Sequence, residues 1–197
     1  MAAGGENIQE GFTGAASEAE IAVVKLKEAK DYLRKFYGIR QKAVCYQETD
    51  IVQGLRYLHL LALKKQKPLV MCVALGTNLG GHNGMSSLSR ILGSYSRLVD
   101  RCVVIGGGNE ANERHHFQGK LNQVGEVQEV EMRVESGNTG FVAELWGTIP
   151  NIVTAYLISP SGERSPVISI RQGSRYQLTF PFEQTVVDVE YQLFLRD

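Results

Sequence analysis

One asparagine follows three consecutive glycines at the end of an apolar run, an order of residue types suited to acyl-transfer chemistry. Residues 102–105 are apolar, residues 106–108 are all glycine, and Asn109 and Glu110 come next. Glycine tolerates positive φ and leaves room for a substrate beside the backbone. The Asn109 amide carries N–H donors that can stabilise the oxyanion of a tetrahedral intermediate. The pattern predicts that Asn109 is an oxyanion donor at the C-terminal end of a strand.

The same glycine run also satisfies a permissive dinucleotide fingerprint, G-x-G-x-x-A, over residues 106–111. That fingerprint requires a helix whose N-terminus holds a pyrophosphate. Residues 112–119 carry too few apolar positions for a helix that packs on a sheet, so dinucleotide binding is disfavoured and no cofactor is expected. A glycine-rich strand exit without any chemistry is the third interpretation of this run.

Two adjacent histidines, His115 and His116, are potential metal ligands. On an extended segment their side chains point to opposite sides. No Cys or carboxylate at a helical i+4 spacing completes a set of ligands. We therefore expect a structural or surface role for both histidines and no metal site.

Strand and helix patterns alternate on the N-terminal side of Asn109. Residues 49–64 have apolar side chains at helical spacing, residues 68–77 are typical of a buried parallel strand, and residues 86–100 predict a second helix. Residues 21–26 form a further apolar strand pattern. The repetition of strand and helix predicts an α/β fold with a doubly wound parallel sheet.

The pattern changes in the C-terminal part of the chain, where β-forming residues alternate with polar ones and turn signals recur about every ten residues. We predict that residues 1–119 form an α/β core and residues 120–197 an antiparallel β-sandwich. The predicted strands of this second part are residues 130–134, 141–145, 152–158, 167–170, 176–180 and 186–195.

The order of these elements resembles that of subtilisin-like serine proteases, the subtilases. Their oxyanion segment is an apolar strand followed by small residues and Gly-Asn-Glu, as residues 102–110 are here. The strand at 68–77 resembles their cleft segment ending in Ser-Leu-Gly, with Ala74 where serine is usual. Residues 14–26 loosely match their Gly-Val-Ala-Pro-x-Ala segment and the strand after it. A sandwich that follows the oxyanion asparagine is similar to the jelly-roll insert of the clostridial Csp-type group.

The resemblance implies a substrate cleft beside Asn109 that binds an extended peptide or protein. The backbone of Leu75 and Gly76 is then a candidate for pairing with the peptide by strand addition. A loop at residues 76–84 that makes no contact with substrate is an equal alternative. The implied substrate-binding residues are Ala74, Leu75, Gly76, Gly107 and Gly108.

The resemblance also implies catalytic residues that this sequence does not contain. Subtilases use Asp, His and Ser in that chain order, and neither a His-Gly-Thr segment nor a Gly-Thr-Ser-Met-Ala segment occurs here. We therefore expect this chain to be part of a serine endopeptidase. The chain contains Asn109 but not the triad, so we expect it to be inactive by itself. The alternative is a non-catalytic pseudoprotease that binds or signals, as in the germination proteins of the group. An open sheet edge in such a fragment predicts self-association.

Composition limits the partners and the location. Lys plus Arg and Asp plus Glu each number 21, which gives a formal net charge of zero and disfavours binding to nucleic-acid phosphates. No apolar run approaches the ~20 residues that span a bilayer, and the N-terminus lacks a signal-peptide pattern. Cys45, Cys72 and Cys102 have no paired spacing, so we expect reduced core thiols and an intracellular setting. The resemblance adds that the protein is bacterial, and either intracellular or spore-associated.

Overall fold

The computed structural model describes residues 3–7, 9–40, 42–110, 112–138, 140–148, 150–168 and 170–193. The chain divides into two compact units, Met1–Glu144 and Leu145–Asp197. In chain order the helices and strands are α1 Asp31–Phe36, α2 Glu48–Lys65, β1 Leu69–Val73, α3 Ser87–Ser96, β2 Arg101–Ile105, β3 Arg175–Phe180 and β4 Thr185–Glu190.

Helix α2 is the longest element and extends the prediction by one residue at each end. Glu48 and Asp50 lie in its first turn, and Lys64 and Lys65 lie in its last turn. Acidic groups at the N-terminus and basic groups at the C-terminus both interact favourably with the helix dipole. Gln66 ends the helix in the left-handed conformation, with a φ of 55°.

Strands β1 and β2 form a two-stranded parallel sheet, in which Leu69 lies opposite Arg101 and Val73 lies opposite Ile105. The chain passes from β1 to β2 through α3, since parallel neighbours require a crossover connection. The strand, helix, strand order expected before the glycine run is therefore present, and this part of the chain is α/β.

Helices α2 and α3 pack on the same face of this sheet. Leu55 of α2 and Leu92 of α3 join Met71 and Val73 of β1 in one buried cluster. Val103 of β2 packs against the cluster from the position opposite Met71. Burying a side chain of this kind stabilises the fold by about 1.5–3 kcal/mol, so this cluster fixes the sheet against its two helices.

The other face of the sheet is exposed in the described part of the chain. Val70 lies opposite Cys102 and Cys72 lies opposite Val104, and all four residues are exposed. A doubly wound sheet has helices on both faces, so that finer prediction is not confirmed. The prediction that Cys72 and Cys102 are buried core thiols is wrong, because α2 and α3 cover only the face that these cysteines do not occupy.

Helix α3 is shorter than the predicted 86–100. Ser86 precedes it as the N-cap, and its Oγ accepts a hydrogen bond from the Ser89 N–H at 3.2 Å, a bond that satisfies one of the free donors at a helix start. The helix ends at Ser96. Asp100 then adopts a φ of 59° immediately before β2, a backbone angle that no α-helix contains.

The segment before α2 differs most from the prediction. The strand predicted at 21–26 does not form, and Ile21 and Val23 are 68% and 81% exposed. An isolated strand leaves its backbone groups without partners, and no described element pairs with this segment. Helix α1 forms instead further along the chain, at a place where the apolar pattern gave no helix.

Arg34 of α1 is the feature that holds this helix to the chain around it. It is 8% exposed. Its Nε donates to the Ala29 carbonyl at 3.1 Å, its Nη1 to the Ala43 carbonyl at 2.6 Å, and its Nη2 to Glu28 Oε2 at 2.8 Å. One guanidinium therefore joins the segments on both sides of α1.

The second unit contains the antiparallel pair β3 and β4, in which Phe180 lies opposite Thr185. These strands correspond to the predictions at 176–180 and 186–195, although β4 ends at Glu190, and residues 194–195 lie outside the described residues. Isolated bridges join Ala155 to Ile168 and Ile158 to Arg164, and they involve the strands predicted at 152–158 and 167–170. Residue 169 lies outside the described residues. The jelly-roll sandwich is not confirmed, because the described residues of this unit form a single two-stranded ladder.

Residues 120–144 lie within the first compact unit. The strands predicted at 130–134 and 141–145 do not form in the described residues. Their apolar side chains are exposed, for example those of Val130 and Met132, which are 43% and 53% exposed. These segments therefore have neither a paired strand nor a packed apolar face. The domain boundary between residues 119 and 120 stays a prediction.

Candidate functional site

The exits of β1 and β2 lie side by side at one edge of the sheet. The Gly106 N–H donates to the Val73 carbonyl at 3.2 Å, which continues the ladder beyond the last paired residues. The carboxyl ends of parallel strands are where α/β proteins bind ligands. The structure therefore brings residues 74–76 and residues 106–109 to the same edge, as a cleft between them requires.

Asn109 is exposed at the end of its glycine run. No hydrogen bond joins its side chain to any residue that the structure describes, so its amide is free to bind a ligand. Gly108 has a φ of +82°, and a Cβ built on residue 106, 107 or 108 meets no atom within 4 Å. The space that the glycines were expected to provide beside the backbone is therefore present.

The predicted substrate-binding residues differ from one another in burial. Ala74, Gly76, Gly107 and Gly108 are exposed. Leu75 is half-buried and packs against the core cluster, so its side chain supports the sheet while its backbone lies at the edge. Whether these residues contact substrate stays a prediction.

Glu110, the residue after Asn109, is bound by two side chains. Its Oε2 accepts from Asn78 Nδ2 at 2.8 Å and lies 3.0 Å from His115 Nδ1. An ionised carboxylate can only accept, so the His115 contact requires a proton on Nδ1. We call Asn78, Glu110 and His115 the polar clasp. It joins the loop after β1 to the loop after β2 next to the candidate oxyanion donor.

The polar clasp changes the acidity of its carboxyl group. The hydrogen bond from Asn78 is the largest cause that holds the pKa of Glu110 below its ordinary value of 4.5, and the bond from His115 acts in the same direction. Slight desolvation opposes both. Hydrogen bonds to a carboxylate favour its charged form, so Glu110 is ionised at neutral pH.

One further contact links the same two loops: the His82 and His116 rings stack with centroids 4.6 Å apart and an angle of 9° between their planes. Within the loop after β1, His82 Nε2 lies 3.2 Å from the Asn78 carbonyl oxygen. His115 and His116 therefore have different partners. Among the described residues, no group of three or more His, Cys, Asp or Glu side chains is arranged to hold a metal ion.

The sequence did not single out Asn78 or its bond to Glu110. The strand register of the folded sheet explains the bond, because Asn78 lies five residues beyond Val73 and Glu110 lies five residues beyond Ile105, the paired ends of β1 and β2. Two exits of equal length from paired strands bring such residues together. The register itself could not be read from the apolar pattern, since parallel buried strands show runs without a clear phase.

The dinucleotide alternative depends on a helix after the glycine run. The described residues between 112 and 138 contain no helix, and residue 111 of the fingerprint lies outside the described part. The described residues after the glycine run therefore offer no helix N-terminus to hold a pyrophosphate.

Within the residues that the structure describes, no helix combines the length and the apolar character needed to cross a membrane.

No protein-family model matches the chain, and no curated protein matches it. Among solved structures, the chain is similar to the CspB protease of Clostridium perfringens, with a TM-score of 0.51 and 30% sequence identity. The match covers 61% of this chain and 24% of that chain. The chain thus spans about a quarter of the length of that protease, and the similarity supports a subtilase-like relation over the matched part.

Proposed function

We propose that the chain forms one side of the substrate cleft in a subtilase-like serine endopeptidase, with Asn109 as the oxyanion donor. The observation that carries the proposal is the parallel pairing of β1 and β2, which brings the exposed Asn109 amide to the edge where residues 74–76 leave the sheet. The similarity to a clostridial protease at 30% identity is independent support.

The proposed reaction is hydrolysis of a peptide bond by acyl transfer. A serine outside these 197 residues attacks the scissile carbonyl, and a histidine outside them takes the serine proton and returns it to the leaving amine. The carbonyl oxygen becomes negative in the tetrahedral intermediate. Asn109 Nδ2 donates a hydrogen bond to that oxygen, and this bond is stronger in the transition state than in the bound substrate.

Residues 74–76 are proposed to bind the substrate backbone. An extended peptide that pairs with Leu75 and Gly76 adds a strand at the sheet edge, and the exposed glycines 107 and 108 leave it room on the other side. The polar clasp would then hold the two loops at a fixed separation while the peptide lies between them.

The experiment for this proposal is peptide hydrolysis by the protease that contains this chain, with Asn109→Ala compared with the unchanged protein. We expect kcat to fall about 100- to 1,000-fold with little change in KM, because the donor acts on the transition state. Asn112→Ala is the matched control, since Asn112 is an exposed amide in the same loop, and it should keep full activity. Equal effects of the two substitutions would contradict the role of Asn109.

The isolated chain is proposed to lack peptidase activity, since no triad segment is found in its sequence. A fluorophosphonate probe should label no serine of the isolated chain stoichiometrically. If the parent protein is also unlabelled and inactive but binds peptides, the non-catalytic pseudoprotease is the better description.

We also propose that the parent protein is of the clostridial Csp type, bacterial and intracellular or spore-associated, with a sandwich inserted after Asn109. The organism of the similar structure supports the group, and the β3–β4 pair supports a β-rich C-terminal part. A solved structure of the parent protein in which residues 120–197 do not form a two-sheet sandwich would overturn the insert.

A further inference from the structure

Two histidine rings lie directly against each other between the loop after β1 and the loop after β2. The His82 and His116 ring centroids are 4.6 Å apart, and the ring planes are nearly parallel, at 9°. Both residues are exposed, so protons from the solvent reach them. Uncharged aromatic rings attract each other in stacked arrangements. The stack therefore holds the two loops together as long as at least one ring is uncharged.

The hydrogen bond of His82 shows where its ring gains a proton. Its Nε2 lies 3.2 Å from the Asn78 carbonyl oxygen. A carbonyl oxygen only accepts, so Nε2 carries the hydrogen of the neutral ring and a second proton adds at Nδ1. Histidine gains its charge between about pH 8 and pH 5. Once His116 is charged as well, two like charges face each other across the stack and repel.

We propose that the His82–His116 stack is a latch that opens near pH 5, and that its opening weakens peptide binding in the proposed cleft. We call this pair the histidine latch. The opening concerns this chain alone, whereas the effect on peptide binding rests on the proposed function.

The backbone of His82 favours opening of the latch. Its φ is 49°, in the left-handed region that residues other than glycine rarely adopt. Such a conformation costs free energy and persists only where surrounding contacts hold it. The stack on His116 is one of these contacts. When the rings repel, residue 82 can return to an ordinary backbone conformation, and the loop around it moves away.

The polar clasp beside the latch responds to acid in the opposite direction. A proton gained by His115 gives its bond to Glu110 an opposite-charge partner, which strengthens that bond. The pKa of Glu110 is held below its ordinary value of 4.5, mainly by the bond from Asn78, so this carboxylate stays ionised at about pH 5. The polar clasp therefore remains closed while the histidine latch opens.

The remaining charged groups near the latch do not prevent its opening. Glu113 and Arg114, of opposite charge, precede His116 in the loop after β2. Glu144 Oε2 accepts a hydrogen bond from the Gly80 N–H at 2.7 Å. A carboxylate at that position attracts protons to the loop but does not separate rings that are in direct contact. It also holds the loop at residue 80, so the movement is confined to residues 81–85, before the N-cap of α3.

NMR of the 197-residue chain tests the latch directly. The chain contains four histidines, so their ring protons give a small set of signals. Nuclear Overhauser cross-peaks between the His82 and His116 rings should be present at about pH 8 and lost at about pH 5. The contact between His115 and Glu110 should persist. Unchanged amide signals of α2 and β1 check that the sheet and its helix stay folded.

The variant His116→Phe separates the charge of the pair from its stacking. The new ring takes no proton, and a charged His82 ring still binds an aromatic face, so the cross-peaks should persist at about pH 5. His59→Phe makes the same substitution in α2, where the ring contacts Tyr95, and its latch should open as in the unchanged chain. His115→Gln should also open, because the polar clasp does not drive the movement.

Binding of a peptide amide to the proposed parent protein tests the effect on the cleft. The affinity should fall about fivefold or more between about pH 7.5 and pH 5. In His116→Phe the fall should be clearly smaller, since its latch stays closed. Comparison of the two pH ratios cancels the contribution of every other titrating group in the parent protein.

Three results would overturn the latch. The cross-peaks between the two rings could be absent at about pH 8, they could persist at about pH 5, or they could vanish at about pH 5 in His116→Phe too. Equal pH ratios for peptide binding in the two parent proteins would overturn its effect on the cleft. A failure of the proposed function is distinguishable, because the parent protein would then bind no peptide at either pH while the latch still opens in this chain.

Discussion

Glu110 illustrates how single residues hold the candidate site together. Its carboxylate is exposed, yet Asn78 and His115 bind the same oxygen from two different loops. The residue before it is the proposed oxyanion donor, which makes no bond of its own to the described residues. The polar clasp therefore lies next to the proposed donor in the chain, and an oxyanion donor is effective only when it is held in place before the reaction.

Asn78→Ala should raise the pKa of Glu110 toward its ordinary value of 4.5, because the Asn78 bond is the largest cause of the lowering. A carboxyl group whose folded pKa is depressed stabilises the fold above its unfolded pKa, and this contribution is lost as pH falls through the folded pKa. NMR titration of the Glu110 carboxyl carbon measures the change.

Asn83→Ala is the control for that titration. Asn83 lies in the same loop, and its side chain accepts from the Met85 N–H at 3.0 Å without touching Glu110. The Glu110 pKa should be unchanged in this variant. A Glu110 pKa that is equal in the unchanged chain and in Asn78→Ala would count against the polar clasp.

Two polar clusters hold segments of the chain in place that the apolar pattern did not predict. Arg34 holds α1 through the segments on either side of it, and Glu20 ties the N-terminal segment to the end of α2. Lys65 Nζ donates to Glu20 Oε2 at 2.7 Å, and Lys67 bonds the other carboxylate oxygen. Both clusters consist of polar contacts between segments of the chain, which an apolar period does not show.

Arg34→Ala should lower the free energy of unfolding by about 1–3 kcal/mol, because it leaves carbonyl acceptors near α1 without a donor. Arg34→Lys should recover little of this, since an ammonium group cannot reach several acceptors with the geometry of a guanidinium. Urea unfolding measures the difference. Lys35→Ala, at an exposed neighbouring position, should have almost no effect, and a similar loss in both variants would contradict the account.

The Glu20 carboxyl should titrate at a pKa of about 2, mainly because of its hydrogen bond with Lys65. The folded pKa lies below the ordinary 4.5, so the stabilisation is complete above 4.5 and is lost as pH falls from 4.5 to about 2. Lys65→Met should raise this pKa, whereas Lys64→Met should not. The groups are exposed, so high salt should weaken the effect, and an unshifted pKa at low salt would refute the contact.

The sequence predicted the elements whose apolar residues recur with a strong period, and it missed those that polar contacts hold in place. The α2 prediction is correct to one residue at each end because its apolar stripe and end charges agree. Helix α1 has six residues and depends on a buried arginine, which no apolar period can indicate. The strands at 21–26 and 130–134 have the right pattern but no partner, and a strand requires one.

At the candidate site, the sequence predicted roles for Asn109 and its glycines, which stay predictions, and it did not indicate the polar clasp. The donor chemistry of Asn109 follows from its residue type. The bond between Asn78 and Glu110 requires the register of β1 against β2, which is a property of the folded sheet.

Of the two compact units of the molecule, the first contains an α/β layer that is covered on one side. Two helices bury one face of the β1–β2 sheet, and Val70, Cys72, Cys102 and Val104 remain exposed on the other. Many further apolar side chains are exposed along the chain, including Val124 and Phe182 at 106% and 85%.

Cys72 and Cys102 should react with a maleimide in the folded chain, both faster than the half-buried Cys45, because their face of the sheet is uncovered. Peptide mapping by mass spectrometry after short labelling gives the three rates. Addition of denaturant should remove the differences. If Cys72 and Cys102 react only after unfolding, that face is covered and the one-sided description of the sheet is wrong.

The most direct test of the central claim is the binding of a peptide aldehyde to the proposed parent protein of this chain. The aldehyde forms a tetrahedral adduct with an oxyanion, whereas the matching peptide amide binds as a ground state. Asn109→Ala should weaken aldehyde binding about 100-fold and leave amide binding unchanged. If both ligands lose the same affinity, or neither does, Asn109 is not the oxyanion donor.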